Sequence, residues 1–162
     1  MADSPAPSAV IENFFSAFAR RDWAGMNACY HADIAFRDEI FRIQGKRAKA
    51  MWHMLCEGGK DMRLEASGIA AEGDKGKAHW EATYTFSATG RKVKNVIDTK
   101  FRFRDGLIIS HDDTWSFWRW ASQALGPVGM LLGWMPRLQQ KVKQRAVGNL
   151  DKFILAHPEY AD

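Results

Sequence analysis

Hydrophobic and polar positions follow two different periods along this chain. Before residue 60 the apolar residues recur at helical spacing. Val10, Ile11, Phe14, Phe15 and Phe18 fall on one helix face, with Ser8 placed to cap it. Asp22 suits the cap of a short second helix that turns Trp23 and Met26 inward. Short strands are expected in "ADIAFRDEIFRIQG", and a third helix over 46–57 with Ala48, Met51, Trp52 and Leu55 inward and His53 partly exposed. "GG" at 58–59 stops that helix.

Beyond residue 60 the period becomes two. "MRLEASGIAA" reads as a strand bulged at Gly68, and "KAHWEATYTFS" places Ala78, Trp80, Ala82, Tyr84 and Phe86 on one face. "RKVKNVIDTKFRFR" sets Val93, Asn95, Ile97, Thr99, Phe101 and Phe103 against Lys92, Lys94, Val96, Asp98, Lys100 and Arg102. "RDG" predicts a hairpin into a last strand, "LIISHDDTWS". Helical spacing then returns, ending in a long helix opened by Pro136. Helices, a run of antiparallel strands and more helix predict an α+β fold with one face of its sheet covered.

The last strand carries the most suggestive chemistry. Neighbours on a strand point to opposite faces, so His111, Asp113 and Trp115 share one face while Asp112 and Thr114 take the other. Ile108 and Ile109 leave the inward face undecided by periodicity; the bulk of Trp115 favours His111 and Asp113 inward. A buried Asp requires a partner, and His111 is the nearest. Packing alone would account for the same residues, and a turn role alone for Asp38.

Composition narrows the picture. The 162 residues are 46% hydrophobic with a net charge of +4, too mild to indicate nucleic-acid binding, and no nucleic-acid motif is present. "RLQQKVKQR" concentrates basic residues, as a solvated helix face would. "MADSPAPSAV" lacks the apolar core of a secretory signal, so Cys29 and Cys56 are expected as free thiols in a cytoplasmic protein. "LGPVGMLLGWMP" is too short and too broken to span a bilayer. The five histidines show no metal-binding spacing, so no metal or cofactor is expected.

The strings "VIENFFSAFARRDWAGMNACYHADIAFRD", "GRKVKNVIDTKFRFRDGLI" and "SHDDTW" resemble the NTF2-like superfamily, in its SnoaL-like and ketosteroid isomerase-like branch. The resemblance runs from about Ser8 to Trp115. It implies a curved, mixed sheet wrapped by N-terminal helices into a cone with a deep apolar pocket. The expected organisation is a disordered leader (1–7), the cone (8–116) and a helical C-terminal extension (117–162). Asp38 matches the position of the isomerase base, while Phe14 stands where that class has a tyrosine donor. Asp113 matches a last-strand Asp of the cyclases and epoxide hydrolases, and Arg91 roughly matches the Arg of the latter.

These readings give Asp113, His111 and Asp38 as candidate catalytic residues, and Asn95, Trp115, Tyr84, Trp80 and Phe14 as candidate substrate contacts. The chemistry implied is that of an isomerase, cyclase or hydrolase acting on a small apolar or polycyclic molecule. A non-catalytic binding protein with the same pocket is the second class. An interaction module is the third, its aromatic C-terminal segment meeting a partner or a membrane surface. A homodimer is expected, with Trp118, Trp120 and Trp134 packed on the sheet or on the second copy, or closing a lid over the pocket.

Overall fold

The structure, a computed structural model, describes residues 4–162. Helix α1 (Pro7–Ala19) starts two residues upstream of the expected turn. Pro7 occupies its first position, where a missing N–H costs nothing, and Ala6 rather than Ser8 is the cap. The expected leader therefore loses Pro7 to the helix, and its residues 1–3 lie outside the described residues. Helix α2 (Trp23–Ala28) is capped by Asp22, whose carboxylate accepts the Gly25 N–H at 2.9 Å.

Strands β1 (Tyr30–Arg37) and β2 (Arg42–Gln44) precede α3 (Lys46–Gly58), and β3 (Arg63–Glu72), β4 (Lys75–Phe86), β5 (Arg91–Arg104) and β6 (Leu107–Thr114) follow. They form one sheet ordered β2-β1-β6-β5-β4-β3. Only the β1–β6 pair is parallel, because β2 takes one side of β1 and the chain returns to its other side after the meander. The curved sheet and its covering helices make the expected α+β cone. Gly68 takes φ +61° where the β3–β4 register shifts, which is the bulge its sequence position foretold.

The core between α1, α3 and the sheet is packed with aromatic rings. Phe14 is fully buried, stacked on Tyr30 at 5.4 Å between centroids and edge-on to Trp52 and His111. It fills the core and offers no surface to a ligand, which corrects its expected role as a substrate contact. Ile11, Phe14, Phe36, Phe101 and His111, none more than 2% exposed, fill the interior here where a deep pocket was the expectation.

The extension comprises α4 (Phe117–Ala124), α5 (Pro127–Leu132), α6 (Pro136–Ala156) and a final 3-10 turn, Pro158–Tyr160. Its end covers α3 and corrects two expectations there. His53 is buried, stacked on Trp23 at 3.7 Å and bonded to the Tyr160 hydroxyl at 2.9 Å, whereas Leu55 is exposed. The covering residues lie about 100 positions or more away, so the helix's own periodicity cannot report them. Of the three C-terminal tryptophans only Trp120 packs inward; Trp118 and Trp134 are exposed.

Candidate functional site

A register shift in β6 places the two central side chains. Arg102 pairs with Ser110 but Phe103 pairs with Ile108, leaving Ile109 as an extra residue. Ile108 is inward on one side of this bulge, and His111 and Asp113 are inward on the other. Asp113 then lies opposite Thr99, so Thr99 is buried while Asp98 faces outward and bonds His79 at 2.8 Å.

These groups form one buried hydrogen-bonded chain. Trp52 Nε1 donates to the Tyr30 hydroxyl at 2.7 Å, and that hydroxyl lies 2.7 Å from His111 Nδ1. His111 Nε2 lies 2.9 Å from Asp113 Oδ1. The same Oδ1 accepts from the Thr99 hydroxyl at 2.5 Å, and Thr99 in turn accepts from Trp80 Nε1 at 2.8 Å. One proton assignment satisfies every member. The indoles can only donate, so the Tyr30 hydroxyl donates to Nδ1, and His111 Nε2–H and Thr99 O–H both donate to Asp113. Among the described residues no donor reaches Asp113 Oδ2.

Asp38 joins this arrangement through the parallel pairing. Phe36 pairs with His111 and Arg37 with Asp112, which brings Asp38 beside Asp113 on the inner face. Asp38 Oδ1 accepts the Ile40 and Phe41 N–H groups at 2.7 and 2.6 Å, an Asx turn that fixes the carboxyl at the end of β1. Burial pushes its pKa up from 3.8 to about 6; the two backbone donors and the Trp115 indole oppose this, and the charge of Asp113 adds to it. A carboxyl in this range exchanges protons near neutral pH.

Around Asp38 the core divides. Ile40, Tyr84 and Trp115 are partly exposed and touch both the main core and a second cluster of Val93, Phe117, Trp120, Ala121 and Ala124. Asn95 is partly exposed between Val93 and Ile97 on the inward face of β5. Tyr84 accepts the Trp120 indole N–H at 2.9 Å, which leaves its own proton for another acceptor. Burial raises the Tyr84 pKa, and the Asp38 charge raises it further against the Trp120 bond. Trp80 is buried and acts here through Thr99. Arg91 is exposed and donates to the Gln123 carbonyl at 2.8 Å.

Two open depressions lie elsewhere, one beside Ser4–Pro7 and the β5–β6 turn and one along the start of α6. Among the described residues, His53, Glu57 and His157 have ligand atoms within 4.8 Å of one another and could hold a metal ion. The fold assembles that trio from α3 and the chain end, on elements that carry neither Asp38 nor Asp113.

Tyr30, Trp52 and Thr99 are site members that the sequence pattern does not single out. Thr99 carries a signal all the same: a polar residue on a largely apolar strand face needs a buried partner. Asp112 is the control for Asp113. It faces outward and pairs with Arg37 at 3.2 Å, both side chains more than a third exposed. Arg37→Ala is therefore expected to change unfolding free energy by no more than about 1 kcal/mol, read from urea midpoints.

The profile of the SnoaL-like domain matches residues 11–111. No curated protein matches the chain. Among solved structures it is similar to a protein with a ketosteroid isomerase-like fold from Catenulispora acidiphila, in complex with trimethylamine, at 14% identity and TM-score 0.64, covering 76% of this chain and 96% of that one. It is similar also to an LEH-like epoxide hydrolase of M. tuberculosis, at 19% identity and TM-score 0.59, covering 76% and 93%. An NTF2-like protein of unknown function from Burkholderia pseudomallei matches at 17% identity and TM-score 0.57, covering 67% and 88%.

Proposed function

Since the chain belongs to the SnoaL-like domain family, we propose that it performs acid/base chemistry on a small apolar or polycyclic molecule at the cone mouth. The observation that carries this reading is Asp38: a carboxyl beside Asp113, shifted to about 6, among Ile40, Tyr84 and Trp115. In this reading Asp38, rather than Asp113, carries the mobile proton. Asp38 takes a proton from substrate carbon or from water, and Tyr84 O–H donates to the oxygen on which charge develops. Asp113 stays fixed by His111 and Thr99, and its charge favours return of the proton to Asp38. Asn95 orients the substrate's polar end, and Trp115 and Ile40 supply apolar contact. The LEH-like relative is named an epoxide hydrolase; a hydrolase, isomerase or cyclase would each use such a base.

The test has two parts. Carbon-detected NMR should find Asp38 titrating near 6 and moving down in Asp113→Asn, which removes the neighbouring charge. Enolisable ketones and epoxides should then be assayed for turnover. Asp38→Asn is expected to lower any turnover found by about 10²–10⁴-fold. An Asp38 midpoint near the ordinary 3.8, or turnover unchanged in Asp38→Asn, would sink the assignment. Saturable ligand binding without turnover would leave the mouth as a binding site only.

A further inference from the structure

We infer that the α4–α5 hairpin is a membrane-docking wedge for an anionic lipid surface. The observation is a patch of Trp118, Val128, Met130, Leu131, Leu132 and Trp134, each between 42% and 69% exposed. Clustered exposed apolar side chains of this size mark an interaction surface.

The wedge is rigid. Gly129 packs so tightly on α4 that a Cβ there would collide with the Ala121 carbonyl. Trp118 Nε1 donates to the Met130 carbonyl at 3.0 Å, and Trp134 Nε1 donates to the Leu131 carbonyl at 2.8 Å. Both indoles have therefore satisfied their only donor before anything covers them. This suits immersion at a lipid interface, where an unpaired N–H is costly.

Charge selects the occupant. Residues 116–150 contain five Arg and Lys and no Asp or Glu. Arg119 adjoins Trp118, Arg137 follows Trp134 by three positions, and the Arg91 guanidinium lies against Gly126. None of these three has an ion-pair partner among the described residues. A second copy docked isologously would bring these cations together with no acid from the segment to offset them. An anionic bilayer offers the opposite charge and accepts the apolar tip. No helix among the described residues is long and apolar enough to cross a membrane, so the contact is peripheral.

The full chain should be sedimented with phosphatidylcholine vesicles, with and without phosphatidylglycerol. Binding is expected only with the anionic lipid and should weaken as salt rises. Leu131→Glu with Trp134→Glu should reduce partitioning about tenfold or more. Arg137→Gln and Lys141→Gln should each reduce it about fivefold; these exposed sites leave folding intact, as circular dichroism checks. Absence of binding, or binding that survives both sets of variants, overturns the inference. So does a wild-type dimer that Leu131→Glu converts to monomer, which would assign the patch to self-association.

Discussion

Tyr30→Phe is expected to destabilise the fold by about 2–5 kcal/mol, although it removes a single oxygen. The lost hydroxyl leaves two buried groups unpaired at once: the Trp52 indole N–H and the His111 Nδ1 lone pair. Trp52 and Tyr30 are each 2% exposed and His111 fully buried, so water cannot replace the missing bonds. Each buried polar group left unsatisfied costs about 1–3 kcal/mol. Urea unfolding should show a lower midpoint with little change in slope. A second consequence separates this chain of bonds from ordinary packing. With the hydroxyl gone, Asp113 alone holds His111 in the Nε2–H tautomer, and the Nδ1 lone pair is left without a donor. Nitrogen NMR of His111 should show a protonated Nε2 in both proteins, with the Nδ1 resonance shifted in the variant by loss of its hydrogen bond. A loss below about 1 kcal/mol would show that the Trp52–Tyr30–His111 sequence of bonds is not formed as described.

The sequence carried the sheet further than the site. The faces of β4 and β5 were readable because both strands alternate without interruption beside Trp80 and Thr99. β6 was ambiguous for a physical reason. The extra residue Ile109 inverts the alternation, so Ile108 and His111 are both inward although three residues apart. Periodicity gave two answers there, each correct on its own side of the bulge. The bulk of nearby Trp115 points to Asp113, and the match to a known base points to Asp38. Tyr30 escaped because its partner is 81 residues away and nothing local distinguishes it from a core tyrosine. His53 lies beyond the reach of local periodicity for the same reason: Tyr160 and Phe153 bury it from the far end of the chain. Local pattern reports which face of an element is apolar, not which distant element will cover the rest.

Asp38→Asn is expected to stabilise the fold by about 3 kcal/mol at pH 7 while removing its proposed chemistry. The folded-state pKa of about 6 lies above the ordinary value of 3.8, so between these values the native state holds a proton that the unfolded chain has released. Wild-type stability therefore falls as pH rises from about 4 to 6. Below that window both states are protonated and the penalty vanishes. Above it both are ionised and the penalty is complete, at roughly 1.4 kcal/mol for each pH unit separating the folded and unfolded values. Asn carries no charge to desolvate, and its side-chain oxygen can still accept from Ile40 and Phe41. The two proteins should thus have similar stability near pH 4, diverge progressively up to about pH 6, and then stay parallel. Thermal midpoints across that range would measure the gap. A purely structural Asp in an Asx turn predicts the opposite sign, because replacing a well-solvated carboxylate that accepts two backbone N–H bonds would weaken the turn. Stabilisation by Asn would instead show that the fold holds a partly buried carboxyl against its preference, which is the condition a general base near neutral pH requires.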